Sequence, residues 1–165
     1  MTDARKDHRL THVRADGSAQ MVDVSAKPSS ARTAKAVSTV VTTPEVTALL
    51  ITNGLSKVDA LGTARIAGIM AAKRTSELVP LCHPLPIAKV AVDVEPNIPE
   101  QGSVLVTAEV KTTGQTGVEM EALTAASVAA LTLYDMIKGV DRAAVIAETK
   151  VVSKTGGTTG EWSQP

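Results

Sequence analysis

The chain has 165 residues, 44% of them hydrophobic, which is the length of one domain and enough apolar material for a core built from Val, Leu, Ile, Met and Ala, since there is no Phe, one Trp and one Tyr. Seventeen Lys and Arg balance seventeen Asp and Glu, and the formal charge of zero removes the general electrostatic argument for a nucleic-acid or membrane-surface binder. One cysteine closes no intramolecular disulfide, the charged residues 2–9 are not followed by the apolar run of a signal peptide, and no stretch approaches the roughly 20 apolar residues of a membrane span, so a soluble cytosolic protein is the expectation.

Residues 1–33 mix charge, Ser, Gly and Pro, and Asp16-Gly17 supplies a turn signal between "LTHV" and "QMVDVS", which predicts a mobile arm with a short hairpin. Residues 33–42, "TAKAVSTVVT", read as a strand. Thr43-Pro44 then gives an N-cap followed by proline at the first helical position, and the helix "PEVTALLITN" stops at Gly54. A second helix is predicted to start at Ser56, with Asp59 three residues on as a short capping box, and to run through "KVDALGTARIAGIMAAKRTSEL". Gly62 and Gly68 inside it each cost about 1 kcal/mol against Ala, so another backbone should pack closely there. Pro80 and Pro84 end helical structure and open "VPLCHPLPI", residues 79–87.

Val90, Val92 and Val94 alternate with Ala91, Asp93 and Glu95, and Val104, Val106, Ala108 and Val110 with Leu105, Thr107, Glu109 and Lys111, which predicts a hairpin across "PNIPEQG" with one buried face. Gly114 and Gly117 lead into a long helix over 118–138 that ends at Gly139, and "AAVIAETKVV" is a last strand before the tail "SKTGGTTGEWSQP". Strand, two helices, two strands, helix, strand is the pattern of an α+β ferredoxin-like sandwich, with helices on one face of an antiparallel sheet.

Glu119 and Glu121 fall in the first turn of the 118–138 helix, where acids complement the helix N-terminus, and from the residues alone that account is favoured. Lys138 has the matching account at the other end. Asp135 does not, because an acid in the last turn faces the negative end of the dipole; Lys138, three residues on, is its natural partner. Such a pair serves as general acid and base if it lines a pocket, although a structural ion pair is the commoner outcome. Fourteen residues separate Glu121 from Asp135, about 21 Å along the axis. If both ends are functional, either they serve different sites or two subunits meet so that one end from each completes a pocket.

Lys57 is a cation at a helix start, either merely exposed or holding an anion with the helix N-terminus. Lys73-Arg74 reads as a solvated pair, and Lys154-Thr155-Gly156-Gly157 suits a phosphate only weakly, the P-loop pattern being absent. For Cys82-His83 a structural zinc site needs four ligands, and His8 and His12 in the arm are the only other histidines, so a buried Cys82 is the better reading.

Five stretches, "MVDVSAK" (21–27), "TARIAGIMAAKRT" (63–75), "LCHPLPI" (81–87), "TGVEMEALTAASVAALTLYDMIK" (116–138) and "SKTGG" (153–157), resemble the cyclic pyranopterin monophosphate synthase family of molybdenum cofactor biosynthesis. The resemblance implies a lyase that converts 3',8-cyclo-7,8-dihydro-GTP to cyclic pyranopterin monophosphate and releases pyrophosphate. It also implies a ferredoxin-like fold and a homohexamer, a trimer of dimers, with pockets at subunit interfaces. Asp135 and Lys138 match the family's central acid/base pair, and Lys57 a lysine required for the rearrangement. His83, with Leu81 and Cys82 beside it, and Glu119, Met120 and Glu121 match pocket positions, His83 meeting substrate phosphate and Cys82 mainly packing. Lys73, Lys154 and Arg32 fall where basic residues would meet the triphosphate.

Proton movement on and off carbon, nitrogen and oxygen calls for an acid and a lysine with tuned pKa values. Cyclisation onto the α-phosphate with loss of pyrophosphate calls for positive charge. No redox group is needed, so the resemblance implies no organic cofactor and no resident metal. The partners it implies are the small-molecule substrate and other copies of the chain, not nucleic acid or a membrane, in the cytoplasm. The chain then divides into an arm of 1–33 that closes over substrate, a single catalytic domain of 34–157 and a tail of 158–165. A phosphate- or nucleotide-binding module without turnover is the alternative, and a purely structural oligomer leaves Asp135 unexplained.

Overall fold

The structure, a computed structural model, describes residues 10–52, 59–158 and 160–164. Strand β1 (Ser30–Val41) is followed by helices α1 (Pro44–Ile51), α2 (Ala60–Ala72) and α3 (Thr75–Leu78), strands β2 (Ile87–Ile98) and β3 (Ser103–Gly114), helix α4 (Glu119–Ile137) and strands β4 (Val145–Thr155) and β5 (Trp162–Ser163). The sheet runs β2-β3-β1-β4-β5 and every adjacent pair is antiparallel. With α2 and α4 packed on one face, this is the ferredoxin-like sandwich that the element order predicts.

Strand alternation sorts the side chains. Ala34, Ala36 and Val40 of β1 and Val104, Val106, Ala108 and Val110 of β3 are buried beneath Ala122, Ala125, Ala126, Ala129, Leu133 and Ile137 of α4. The one hydroxyl in that row of β1, Ser38, is satisfied by Thr149 Oγ1 at 2.8 Å. On the opposite sheet face Lys35, Lys89 and Lys111 converge on Glu109 at 3.3–3.4 Å. By length and composition α4 is apolar enough to cross a membrane, closer to that limit than the sequence reading allowed. Its buried side instead packs on α2 and on β1, β3 and β4, which makes it the core helix of a sandwich.

Several boundaries differ from expectation. Helix α2 starts at Ala60, and Asp59 is its N-cap rather than the third residue of a capping box: the carboxylate accepts a hydrogen bond from the Gly62 N–H at 2.7 Å. A side chain at Gly62 would therefore meet that carboxylate, not another backbone. Gly54, Ser56 and Lys57 lie outside the described residues. The helix also breaks after Ala72, where the buried Thr75 hydroxyl donates to the Ala72 carbonyl at 3.0 Å and Arg74 leaves helical geometry. In the arm, Val13 bridges Ala19 around a turn whose Gly17 has φ +84°, as Asp16-Gly17 predicts. Strand β5 was not foreseen, because two residues carry no period.

Gly68 meets the expectation that Gly62 does not. A Cβ there would stand 2.8 Å from the Ala125 carbonyl oxygen and 3.1 Å from the Ala129 Cβ. We therefore expect Gly68→Val to lower stability by about 2–3 kcal/mol in urea unfolding, the upper range for overpacking. An unchanged midpoint would mean that α2 and α4 do not touch at this residue.

Candidate active site

Two adjoining cavities open at the N-terminal end of α4. The first, about 300 Å³, lies between the 79–87 loop, the first turn of α4 and the arm, and Leu81, Cys82, His83, Glu119, Met120 and Glu121 all line it. The second, about 230 Å³, is basic: Arg32 and Lys154 face it alongside Thr155 and Gly156. Lys27, Thr116, Gly117 and Glu119 border both.

The 79–87 loop is held at each end. The Val79 N–H donates to the Thr75 carbonyl at 2.8 Å and the Cys82 N–H to the Val79 carbonyl at 3.0 Å, while the buried Thr112 hydroxyl of β3 donates to the Pro86 carbonyl at 2.7 Å. Pro80, Pro84 and Pro86 restrict the backbone between these ties. Burial, and secondarily the charge of Glu121, pushes the Cys82 thiol up, so it stays protonated near neutral pH and packs rather than attacks. Asp23 of the arm is held below the usual carboxylate range, mainly by the Ser25 backbone N–H and hydroxyl, with a smaller contribution from His83.

Glu121 is 3% exposed. Burial raises its pKa; its own backbone N–H opposes that, and the neighbouring Glu119 adds to it. Glu119 has a partner of its own, Lys154 Nζ at 2.8 Å, which links the acidic cavity to the basic one. Arg32 donates through Nε to the Gly114 carbonyl at 2.8 Å and through Nη2 to the Gln115 carbonyl at 3.1 Å, which fixes its plane and leaves donors for a ligand. Gly156 (φ +88°) carries no Cβ where the Ala31 carbonyl passes, and Gly157 none where the Arg32 guanidinium lies. The glycines of "SKTGG" thus make room for β1 and Arg32, a use quite different from a P-loop.

The remaining expected residues lie elsewhere. Lys73 caps α2 and lines a third cavity, with Lys89, Leu85 and Ile87, that borders the first only through Leu85. Asp135 and Lys138 form a 2.6 Å ion pair at the far end of α4, each more than half exposed, and Asp135 holds the lysine above its ordinary pKa through a hydrogen bond and charge. A lysine so held keeps its proton, and within one chain this is a solvated pair. Lys57 falls outside the described residues. The sequence reading missed Lys27, which borders both cavities, and weighed His12 only as a metal ligand although it lines the first. Lys27 sat within a matching stretch, "MVDVSAK", yet a lysine among Ser and Pro in an arm carries no periodic signal. Among the described residues no group of three His, Cys, Asp or Glu could hold a metal ion.

Comparison with known proteins places the chain in a family. The model of the MoaC family matches residues 21–157. A protein of Nocardioides sp. named cyclic pyranopterin monophosphate synthase is 57% identical over 157 residues, which cover 95% of this chain and 96% of that protein. Proteins of the same name from Corynebacterium efficiens (58% over 154 residues, 93% and 97% of the two chains) and Streptomyces avermitilis (55% over 156 residues, 94% and 90%) are similar in the same way. The matched region contains the 79–87 loop, the first turn of α4, Arg32 and Lys154, and the chain belongs to the MoaC family.

Proposed function

We propose that the chain is a cyclic pyranopterin monophosphate synthase, a lyase of molybdenum cofactor biosynthesis that converts 3',8-cyclo-7,8-dihydro-GTP to cyclic pyranopterin monophosphate and pyrophosphate. The observation that carries this reading is the contrast between the two joined cavities. The first offers buried acceptors to a donor-rich ring system, and the second offers Arg32, Lys27 and Lys154 to a triphosphate. Substrate lying across Glu119 would reach both. Arg32 and Lys154 neutralise the charge that develops on the leaving pyrophosphate. His83 stands in the first cavity, at its junction with the arm, and contacts the substrate there.

Asp135 and Lys138, with Lys57, carry out the proton transfers, and they do so from a second subunit. Three observations support this. The pair lies about 21 Å along α4 from Glu121; Leu131, one turn before Asp135, is 58% exposed; and Ile66 and Met70 of α2 are exposed as well. A second copy that covers Leu131 also draws Asp135 and Lys138 out of water. Desolvation favours neutral lysine, so burial moves Lys138 from a fixed cation toward a group that exchanges its proton. The assembly is a homohexamer, a trimer of dimers, that works in the cytoplasm.

Glu121 links binding to stability. Its folded-state carboxyl holds a proton to higher pH than the unfolded one, so charging it costs the folded state. That cost is absent below the ordinary glutamate range and grows as pH rises through the raised value. A ligand N–H donor offsets it by pairing with the charge.

The reading is tested by incubating the protein with the cyclic dihydro-GTP and following pyrophosphate and the pterin product. Wild type should form both, and substrate bound but unchanged would point to a non-catalytic binding module. Asp135→Ala and Lys138→Ala should each lower kcat by about 10²–10⁴-fold with substrate affinity retained; undiminished turnover would reject their catalytic role. Coexpression of Asp135→Ala with His83→Ala chains should restore turnover that neither variant has alone, and light scattering should give a multiple of the 17.1 kDa chain mass. A monomer, or no complementation, would overturn the shared site. Glu121→Gln should bind substrate more weakly yet melt higher at pH 7, by about 2–4 °C per kcal/mol relieved, with the gap closing below about pH 4. A variant no more stable than wild type at pH 7 would show that Glu121 is not buried charged.

A further inference from the structure

We propose that His12, carried on the hairpin of the arm, is a further substrate-binding residue of the first cavity, its Nε2 accepting a hydrogen bond from a ring N–H or amino group of the ligand. The inference rests on the reading that this cavity takes the ring system of a guanine-derived substrate.

His12 lines the cavity together with Glu121, yet it is an exposed residue on an exposed segment. An ordinary solvated histidine needs no fixed orientation; this one is held twice by the same residue. Its carbonyl accepts from the Gln20 N–H at 2.9 Å, and its Nδ1 bonds the Gln20 carbonyl at 3.1 Å. The turn between them is fixed in its own right. Asp16 Oδ1 accepts from the Ser18 N–H and hydroxyl, the Arg14 N–H donates to the Ser18 carbonyl, and Arg14 Nε donates to Gln20 Oε1. A carbonyl only accepts, so the Nδ1 bond requires the proton on Nδ1, and in the neutral ring the lone pair is then on Nε2.

The other groups of the cavity give that lone pair a purpose. Glu119 is engaged by Lys154. Beside His83, the Glu121 carboxyl on α4 and His12 Nε2 on the arm offer acceptors to a ligand, with Val22, Val24 and Leu85 supplying apolar contact. An acceptor pair on an apolar lining of about 300 Å³ suits a flat heterocycle that presents adjacent N–H groups along one edge, as an aminopyrimidinone does. A phosphate, which only accepts at neutral pH, would not use such a pair, and the basic cavity next door is better suited to it.

Asparagine at this position separates the tether from the contact. The side-chain N–H of His12→Asn can still reach the Gln20 carbonyl, but nothing stands where Nε2 was. We expect His12→Asn to melt as wild type does and to keep kcat within about twofold, while KM for the cyclic dihydro-GTP rises about tenfold, the weight of one hydrogen bond. An unchanged KM would overturn the proposal. A second measurement does not depend on turnover. With three histidines in the chain, the proton-NMR signal of the His12 ring is assigned by its loss in His12→Asn, and GTP, which carries the same aminopyrimidinone edge, is titrated into wild-type protein. The His12 signal should move with saturation, and inorganic triphosphate alone should leave it in place. A His12 signal that stays still while others saturate would sink the assignment. If wild type fails to turn over the cyclic dihydro-GTP, the synthase reading falls, and the GTP titration alone decides His12.

Discussion

The distance between α2 and α4 governs the rest of the molecule. The layer between helices and sheet contains no Phe, and its contacts are largely Ala on Ala and Ala on Val, with Leu133 and Ile137 the largest fully buried side chains. Dispersion falls off steeply with separation, so a core of such short groups gains its cohesion only if the backbones come close. Gly68 is one place where they come close, since a Cβ there would stand 2.8 Å from the Ala125 carbonyl oxygen. Because the 79–87 loop leaves the helical layer just after α3 and meets the first turn of α4, the helix spacing also sets the width of the first cavity. Binding geometry and core packing are one quantity here.

Two glutamates show how partners decide the behaviour of a carboxyl. Burial pushes Glu109 up, but hydrogen bonds from Lys89, Lys111 and Lys35 outweigh it and the net shift is downward. Glu121 is more deeply buried, has another glutamate beside it and among the described residues is given no lysine, and its shift is upward. The first belongs to a self-sufficient cluster on the sheet surface. The second has its own backbone N–H to offset burial and faces the first cavity, which is the mark of a group whose partner arrives from outside.

The fold was legible because its elements carry strong period or strong punctuation. The valines of β2 and β3 alternate, Thr43-Pro44 caps α1, and the run over 118–138 is long enough to leave no choice but helix. The misses have local causes. Asp59 accepts from the Gly62 N–H three residues ahead, as a cap does, so the helix starts later than a capping-box reading allows. Lys73 sits in a stretch shared with the family, but the break of the helix after Ala72 turns it to a different cavity from Arg32 and Lys154. Within the site, His83 and Glu121 were found through motif resemblance and not through pattern, since neither spacing nor composition separates a pocket glutamate from one that serves a helix dipole. Lys27 and His12 stayed unseen because an irregular arm has no period from which to infer what its side chains face.

The order of strands carries a consequence for how the protein is made. Strand β1 lies at the centre of the sheet, between β3 and β4, and the wall of the basic cavity joins Arg32 from β1 to Gly114 and Gln115 after β3 and to Lys154 and Gly156 at the end of β4. During translation β1 therefore keeps one bare edge until β4 emerges. A nascent chain that already holds His83, Glu121, Asp135 and Lys138 still lacks one wall of the basic cavity. Its unpaired β1 edge is the kind of surface on which chains stick to one another. Pairing of β4 and closure of the basic cavity are the same event, so a product truncated before β4 would be an aggregation-prone strand edge.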